Sequence, residues 1–192
     1  KICDEMGDIW TSLKGDYMLY WSESAGATVY IEDKKVGHIE DIMLEPDKKS
    51  ITGFLLEKRN QDIRPRYFSF LQIKEIERNL VYLKDLTCIK TLTKGIRKKV
   101  IFSEGLINNP VIDEKGKFIG RVADIAFDPG NGVIKEIIIS ESILEDIWFG
   151  RKKMPVLGHV EFSRELISVD KDTCDEITVL NKGLKNWLEI NK

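Results

Sequence analysis

The stretch IGRVADIAFDPGNGVIKEIII, from Ile119 to Ile139, reads as a strand, a turn and a second strand. Its first strand carries Gly120 and Asp124. Its turn is Asp128-Pro129-Gly130-Asn131-Gly132, and its second strand closes on consecutive isoleucines. The stretch VGHIEDIMLEPDKKSITGFLL, from Val36 to Leu56, matches it without a gap over 21 positions, position 36 answering to 119 at an offset of 83. Gly37/Gly120, Asp41/Asp124, Ile42/Ile125, Pro46/Pro129 and Ile51/Ile134 are identical, and most other pairs exchange one apolar residue for another. A constant offset of this kind marks the duplication of one structural unit.

The first strand of each copy breaks its own alternation. Ile42 and Leu44 share one parity and Ile39 is off it; Val122 is likewise out of step with Ile125 and Phe127. A strand whose inward side switches predicts a bulge or sharp coil, of the sort small barrels need to close. Gly37 and Gly120 stand just before the switch, where a missing side chain permits a bend, and Asp41 and Asp124 fall inside it. Glu45-Pro46-Asp47 and Asp128-Pro129-Gly130 are turn signals. The next strands, Ile51–Leu56 and Val133–Ile139, end in apolar runs that need cover on both faces. Units of about 80 residues bury a modest fraction of their surface, so the two are expected to lean on each other.

Outward from the hairpins, each copy continues through a polar segment, Glu57–Arg66 or the longer Ser140–Lys153, to an apolar run and a closing alternating strand. The extra length of the second copy falls in the Ser140–Lys153 loop, which holds Ile147, Trp148 and Phe149. The division expected is an arm over 1–18, a first unit over 19–85, a connector over 86–105, a second unit over 106–173 and an amphipathic helix over 174–192. The connector has Lys90, Lys94, Arg97, Lys98 and Lys99 with no acid from Leu86 to Ser103. It reads as a solvated link or as an anion- or RNA-contacting patch. In the tail, Ile177, Leu180, Leu184, Trp187 and Leu188 recur at helical spacing. That helix either packs on its own molecule or docks on another chain.

The composition is 42% hydrophobic and 32% charged, with a formal net charge of −2. That balance is ordinary for a globular protein. It argues against DNA as a partner and against general nucleic-acid binding, which needs a basic field. Three cysteines, Cys3, Cys88 and Cys174, are far apart and read as reduced thiols of a cytoplasmic protein. No apolar run approaches the roughly 18 residues of a membrane span.

The pattern G-x-[IV]-x-D-[IL]-x-[LF]-[DE]-P, a short turn, G-x-I followed by an apolar run, then P-V and a closing I-x-V-D resembles the PRC-barrel family. The second copy carries it best, with Gly120, Asp124, Ile125, Asp128, Gly132, Ile134, Pro155, Ile167 and Val169 in place. The first copy has Ser69 where the second has Pro155 and Lys49 where it has Gly132. The resemblance implies a mainly β fold: two tandem small antiparallel PRC-type β-barrels with a C-terminal helix. It also implies a bacterial adaptor without shared catalytic residues, since such barrels bind proteins, membrane-complex subunits or ribosomal components. The photosynthetic reaction centre H subunit and the ribosome maturation factor RimM carry such a domain.

The residues themselves offer little chemistry. His38 and His159 are the only histidines and have no cysteine, serine elbow or metal-spaced partner near them in sequence. No nucleophile–base–orienter set can be assembled, and no phosphate-binding glycine motif occurs. Asp41 with Glu45 and Asp124 with Asp128 could hold a hard cation through oxygen ligands. The competing reading is that a short carboxylate at a bulge accepts otherwise unpaired backbone N–H groups. The expectation is therefore no enzyme, no metal and no cofactor. The partners expected are proteins, a second copy of the chain among them, or a ribosomal component. The surface candidates are Trp148, Phe149, Leu184, Trp187, Leu188, Arg97, Lys98 and Lys99.

Overall fold

Each copy of the repeat folds as a long bent hairpin, and the bends fall where the apolar parity switches. The computed structural model describes residues 17–180. In chain order the first copy contributes β1 (Leu19–Tyr20), α1 (Trp21–Ser24), β2 (Thr28–Ile31), β3 (Lys34–Glu45), β4 (Ser50–Leu56), β5 (Arg66–Ser69), β6 (Ile73–Glu77), β7 (Leu80–Leu83) and β8 (Ile89–Thr91). Then follow α2 (Lys94–Lys99), β9 (Pro110–Asp113), β10 (Phe118–Phe127), β11 (Ile134–Ser140), α3 (Ile143–Phe149), β12 (Lys152–Pro155), β13 (Val160–Phe162), β14 (Ile167–Val169), α4 (Lys171–Asp175) and β15 (Thr178–Val179). The fold is mainly β, in two curled sheets with the same plan. One runs β6-β7-β2-β3-β4-β5-β8 and the other β13-β14-β9-β10-β11-β12-β15.

The β3–β4 ladder slips between Ile39 and Asp41, and the β10–β11 ladder slips between Val122 and Asp124. One extra residue at each slip turns Ile39 and Ile42, or Val122 and Ile125, to the same inner face, where all four are buried. Gly120 is needed for the bend: a Cβ there would lie 2.4 Å from a methyl of Ile139 and 2.9 Å from the Ser140 carbonyl oxygen. Gly37 would meet Leu56 at an ordinary 3.6 Å but has φ +156°, so the first copy constrains this position through the backbone and the second through space. One feature differs from an all-antiparallel barrel. The closing strands β7 and β14 run parallel to β2 and β9, because the chain crosses the whole hairpin before returning to the first strand.

The two units are interlocked rather than joined by a link. β1 belongs to the first copy by position, yet it pairs with β10 of the second, Leu19 opposite Phe127. Reciprocally, Ile101 leads into the second copy and bridges Leu44 of the first, with N···O distances of 2.8 and 2.9 Å. Leu44 and Phe127 are equivalent positions of the repeat, so each unit lends its lead strand to the other. A second seam joins the hairpin turns: Ile51 N donates to Gly132 O at 2.8 Å, and Ile134 N donates to Lys49 O at 3.0 Å. These four residues are again two equivalent pairs.

One apolar core follows from that exchange. Phe54 and Phe70 of the first copy stand 6.4 and 6.2 Å, centroid to centroid, from Phe127 of the second. Leu19, Ile51, Ile125, Ile134 and Ile137 are buried in the same cluster. Residues 86–105, read from sequence as a connector, are folded accordingly. They contain β8 on the edge of β5, then α2, then the Ile101 bridge. α2 lies over the outer face of the first sheet, where Met43, Leu55 and Tyr67 pack with Leu92, Ile96, Val100 and Phe102. The expected helix over 174–192 also differs in its described part: α4 ends at Asp175, and Thr178 pairs with Lys153 on the edge of β12. Leu184, Trp187 and Leu188 lie outside the described residues, as does the arm up to position 16.

The turn seam supplies a stability test. Gly132 has φ +75°, and a Cβ there would stand 2.5 Å from Ile51 O and 3.0 Å from the ring of Phe70. Gly132→Ala is expected to cost about 2–3 kcal/mol in urea denaturation, from left-handed strain plus the clash with the Ile51 carbonyl oxygen. Loss of a few tenths only would mean that the seam yields freely.

Candidate interaction surfaces

The duplicated aspartates turn out to serve the seam. Asp41 Oδ1 accepts from Ile42 N at 2.7 Å and from Ser103 N at 2.9 Å. Asp124 Oδ1 accepts from Ile125 N at 2.8 Å and Ser22 N at 3.2 Å, while Ser22 Oγ donates to its Oδ2 at 2.5 Å. Each carboxylate thus satisfies the N–H that its bulge strands and the lead segment of the opposite copy. Ser22-Glu23 and Ser103-Glu104 repeat in sequence, and that signal could have pointed to the pairing.

The turn acids are engaged as well. Asp128 accepts from Gly130 N at 2.7 Å and Asn131 Nδ2 at 2.9 Å, and Glu45 pairs with Lys48 at 2.9 Å. Pro46 opens a single 3-10 turn, Pro129 stands beside Asp128 in the other hairpin turn, and Pro155 ends β12 opposite Glu136. Among the described residues no group of three or more His, Cys, Asp or Glu is placed to hold a metal ion. His38 Nδ1 lies 3.1 Å from Gly26 O. Cys88 is buried with its Sγ 3.1 Å from Gln72 Oε1. Burial, with Asp113 and other acids nearby, pushes the Cys174 thiol up, away from the reactive thiolate. No helix among the described residues is long and apolar enough to cross a membrane.

Two of the surfaces expected from sequence stand on short helices. The first is α3, the insertion peculiar to the second copy. Ser142 caps it, its Oγ accepting from Glu145 N at 3.2 Å, and Gly150 ends it. The S-x-x-E spacing was a legible helix start that the loop reading passed over. Its apolar side chains face outward: Ile143 is 79% exposed, Leu144 72%, Ile147 49% and Trp148 48%. Phe149 is half-exposed. Single exposed apolar residues need no explanation, whereas a run on one helix does.

The flank of α3 is acidic. Glu141 is held low by hydrogen bonds to Glu145 and then Lys152, while Glu145 is raised by its hydrogen bond to Glu141. Glu141 also pairs with Lys152, and Asp146 pairs with Arg151 at 3.2 Å. A cleft of about 530 Å³ opens beside the helix between Phe118, Ile119, Glu141 and Glu145.

The second surface is α2. Lys94, Arg97, Lys98 and Lys99 are exposed on it, while Ile96 turns toward the sheet. Lys90 is apart from them, on β8 opposite Tyr67. The end of α2 is held by the second copy: Arg164 donates to the carbonyls of Arg97, Lys98 and Val100 at 3.1–3.2 Å. Arg97 stacks over Phe102 at 5.6 Å. Nothing local in the sequence announces Arg164, whose partners lie in the other copy.

Among family models, that of the PRC-barrel domain matches the chain twice, over residues 17–86 and 98–156, together more than half of it. Comparison with curated proteins finds no match.

Proposed function

We propose that this chain, which belongs to the PRC-barrel domain family, is a non-enzymatic adaptor that docks a protein partner on the outward apolar face of α3. The carrying observation is that face itself: Ile143, Leu144, Ile147 and Trp148 stand on a capped helix that the first copy does not have. Large apolar groups gathered on one side, Trp among them, are the usual anchors of an interface. The rim carries Glu145 and Asp146, so the partner surface that fits is an apolar groove edged by Lys or Arg. Asp41, Asp124, Asp128 and Glu45 are bonded within the fold, and this supports the non-enzymatic reading. We place the protein in the cytoplasm, with reduced cysteines.

The test is affinity capture from the source organism's lysate with the full chain, wild type beside Leu144→Asp and Trp148→Asp. Both sites are exposed, so circular dichroism and thermal midpoint should stay unchanged. Proteins retained by the wild type should fall at least tenfold with either variant. A retained set that both variants keep in full would remove α3 from the function.

A second reading rests on α2. Four exposed cations on one short helix form a compact positive patch on a chain of net charge −2. Such a patch suits a phosphate backbone, as in a ribosome-associated maturation factor. It predicts co-sedimentation with ribosomal particles at low salt, weakened about tenfold by Arg97→Gln, Lys98→Gln and Lys99→Gln together. Sedimentation indifferent to both salt and these changes would end this reading.

A further inference from the structure

The outer face of the first sheet is covered by α2, and its counterpart on the second sheet has no such cover among the described residues. Met43, Leu55 and Tyr67 answer, through the repeat, to Ala126, Ile138 and Lys153; Phe102 answers to Tyr20. In the first copy these residues form a cluster with Leu92, Ile96 and Val100. In the second copy Ala126 and Ile138 are buried, yet neither belongs to an apolar cluster of described residues. Burial pushes the Tyr20 phenol up on this same face, with Glu136 adding to it.

The chain reaches that face in the same way in both copies. Leu92 N donates to Pro65 O at 2.8 Å and then α2 begins; Leu180 N donates to Arg151 O at 2.7 Å, and residues 181–192 follow. Pro65 and Arg151 are equivalent, directly before β5 and β12, the next-to-last strands of their sheets. The sequence repeats onward from that bond. Thr93-Lys94-Gly95-Ile96 matches Asn181-Lys182-Gly183-Leu184, and Thr93 caps α2 by accepting from Ile96 N. Asparagine is as good a cap as threonine. Residues 93–99 suffice to cross the first sheet, and the tail has 12 residues for the same distance.

We propose that residues 181–192 of this chain dock on its own second sheet, over Ala126, Ile138 and Tyr20, with Leu184 in the place that Ile96 takes on the first sheet. The tail is then an internal cover rather than a hook for another molecule. The two outer faces become equivalent, one covered by α2 and the other by residues 181–192. The same cover explains why β11 can end in consecutive isoleucines: Ile137 and Ile139 face the core, and Ile138 faces the tail.

The test places a photoreactive benzoylphenylalanine at position 184 of the full chain, with a second chain carrying it at Leu71, which is 80% exposed, as the background control. Light and isotopically heavy chains are mixed before irradiation, and cross-linked peptides are mapped by mass spectrometry. The expected result is a link from position 184 to peptides containing Tyr20, Ala126 or Ile138, within one chain and at least tenfold above the control. Links to Ile143–Phe149, links between light and heavy chains, or a yield no higher than the control would each overturn the proposal.

Discussion

Phe127→Ala should unfold both units together, lowering stability by about 3–5 kcal/mol. Phe127 is fully buried at the end of β10. Its backbone pairs with Leu19 of the first copy, and its ring meets Phe54 and Phe70, also of the first copy. Truncation removes those contacts and leaves a cavity that neither sheet can close alone, because the lining comes from both. A local core would confine the loss to one unit. Here the lead strands are exchanged and the core is shared, so the transition should stay single. The measurement is urea denaturation followed by far-ultraviolet circular dichroism and by fluorine NMR of 3-fluorotyrosine at Tyr30 and Tyr82, 5.7 Å apart in the first sheet. Coincident midpoints, both shifted, are the expected outcome. A tyrosine signal that keeps its wild-type midpoint while the rest moves would show that the first unit folds without the second.

The hairpins and their bends were legible because apolar parity is a local signal. Ile39 out of step with Ile42 can be read without knowing what either touches, and a ladder slip is the backbone response to it. The exchange of lead strands was not legible, since Leu19–Tyr20 is two residues long and its partner lies in the other copy. A two-residue strand has no periodicity of its own; it forms because the end of β10, at Ala126 and Phe127, runs past its pairing with β9.

The run from Leu86 to Ser103 misled for a different reason. Its cations suggested solvent on all sides, yet Leu92, Ile96 and Val100 turn inward on and around α2 while Lys94, Arg97 and Lys98 turn out. Charge content described one face and concealed the other. Helical spacing in the tail was similarly ambiguous, since Ile177 and Leu180 fit a helix on paper. The free edge of β12 claims Thr178 and Val179 as a strand instead, a tertiary contact overriding a weak local preference. Of the candidate surface, Trp148 and Phe149 were found by their bulk alone. That they stand on a capped helix with Ile143 and Leu144 depended on Ser142 and Glu145, a signal present in the sequence and unread.

Asp124→Ala should cost about 2–4 kcal/mol, and Asp124→Asn only about 1 kcal/mol, because the carboxylate is an acceptor for donors that have no substitute. Asp124 is 8% exposed and takes three donors: Ile125 N, stranded by the bulge, and the amide and hydroxyl of Ser22. Alanine leaves the Ile125 N–H buried and unpaired and releases the segment that carries β1. Asparagine keeps an oxygen for Ile125 N, while its amide can donate to a rotated Ser22 hydroxyl. The equivalent Asp41→Ala should cost less, about 1–2 kcal/mol, since Asp41 is only half-buried and takes two backbone donors. Urea denaturation of the four chains gives the order wild type, Asn, Asp41→Ala, Asp124→Ala. Hydrogen exchange at the Ser22 amide should quicken in Asp124→Ala and stay protected in Asp41→Ala. Equal costs for Ala and Asn at position 124 would mean that charge, not acceptance, is what the site requires. The repeated aspartate would then have to be explained by something other than the bulge it sits in.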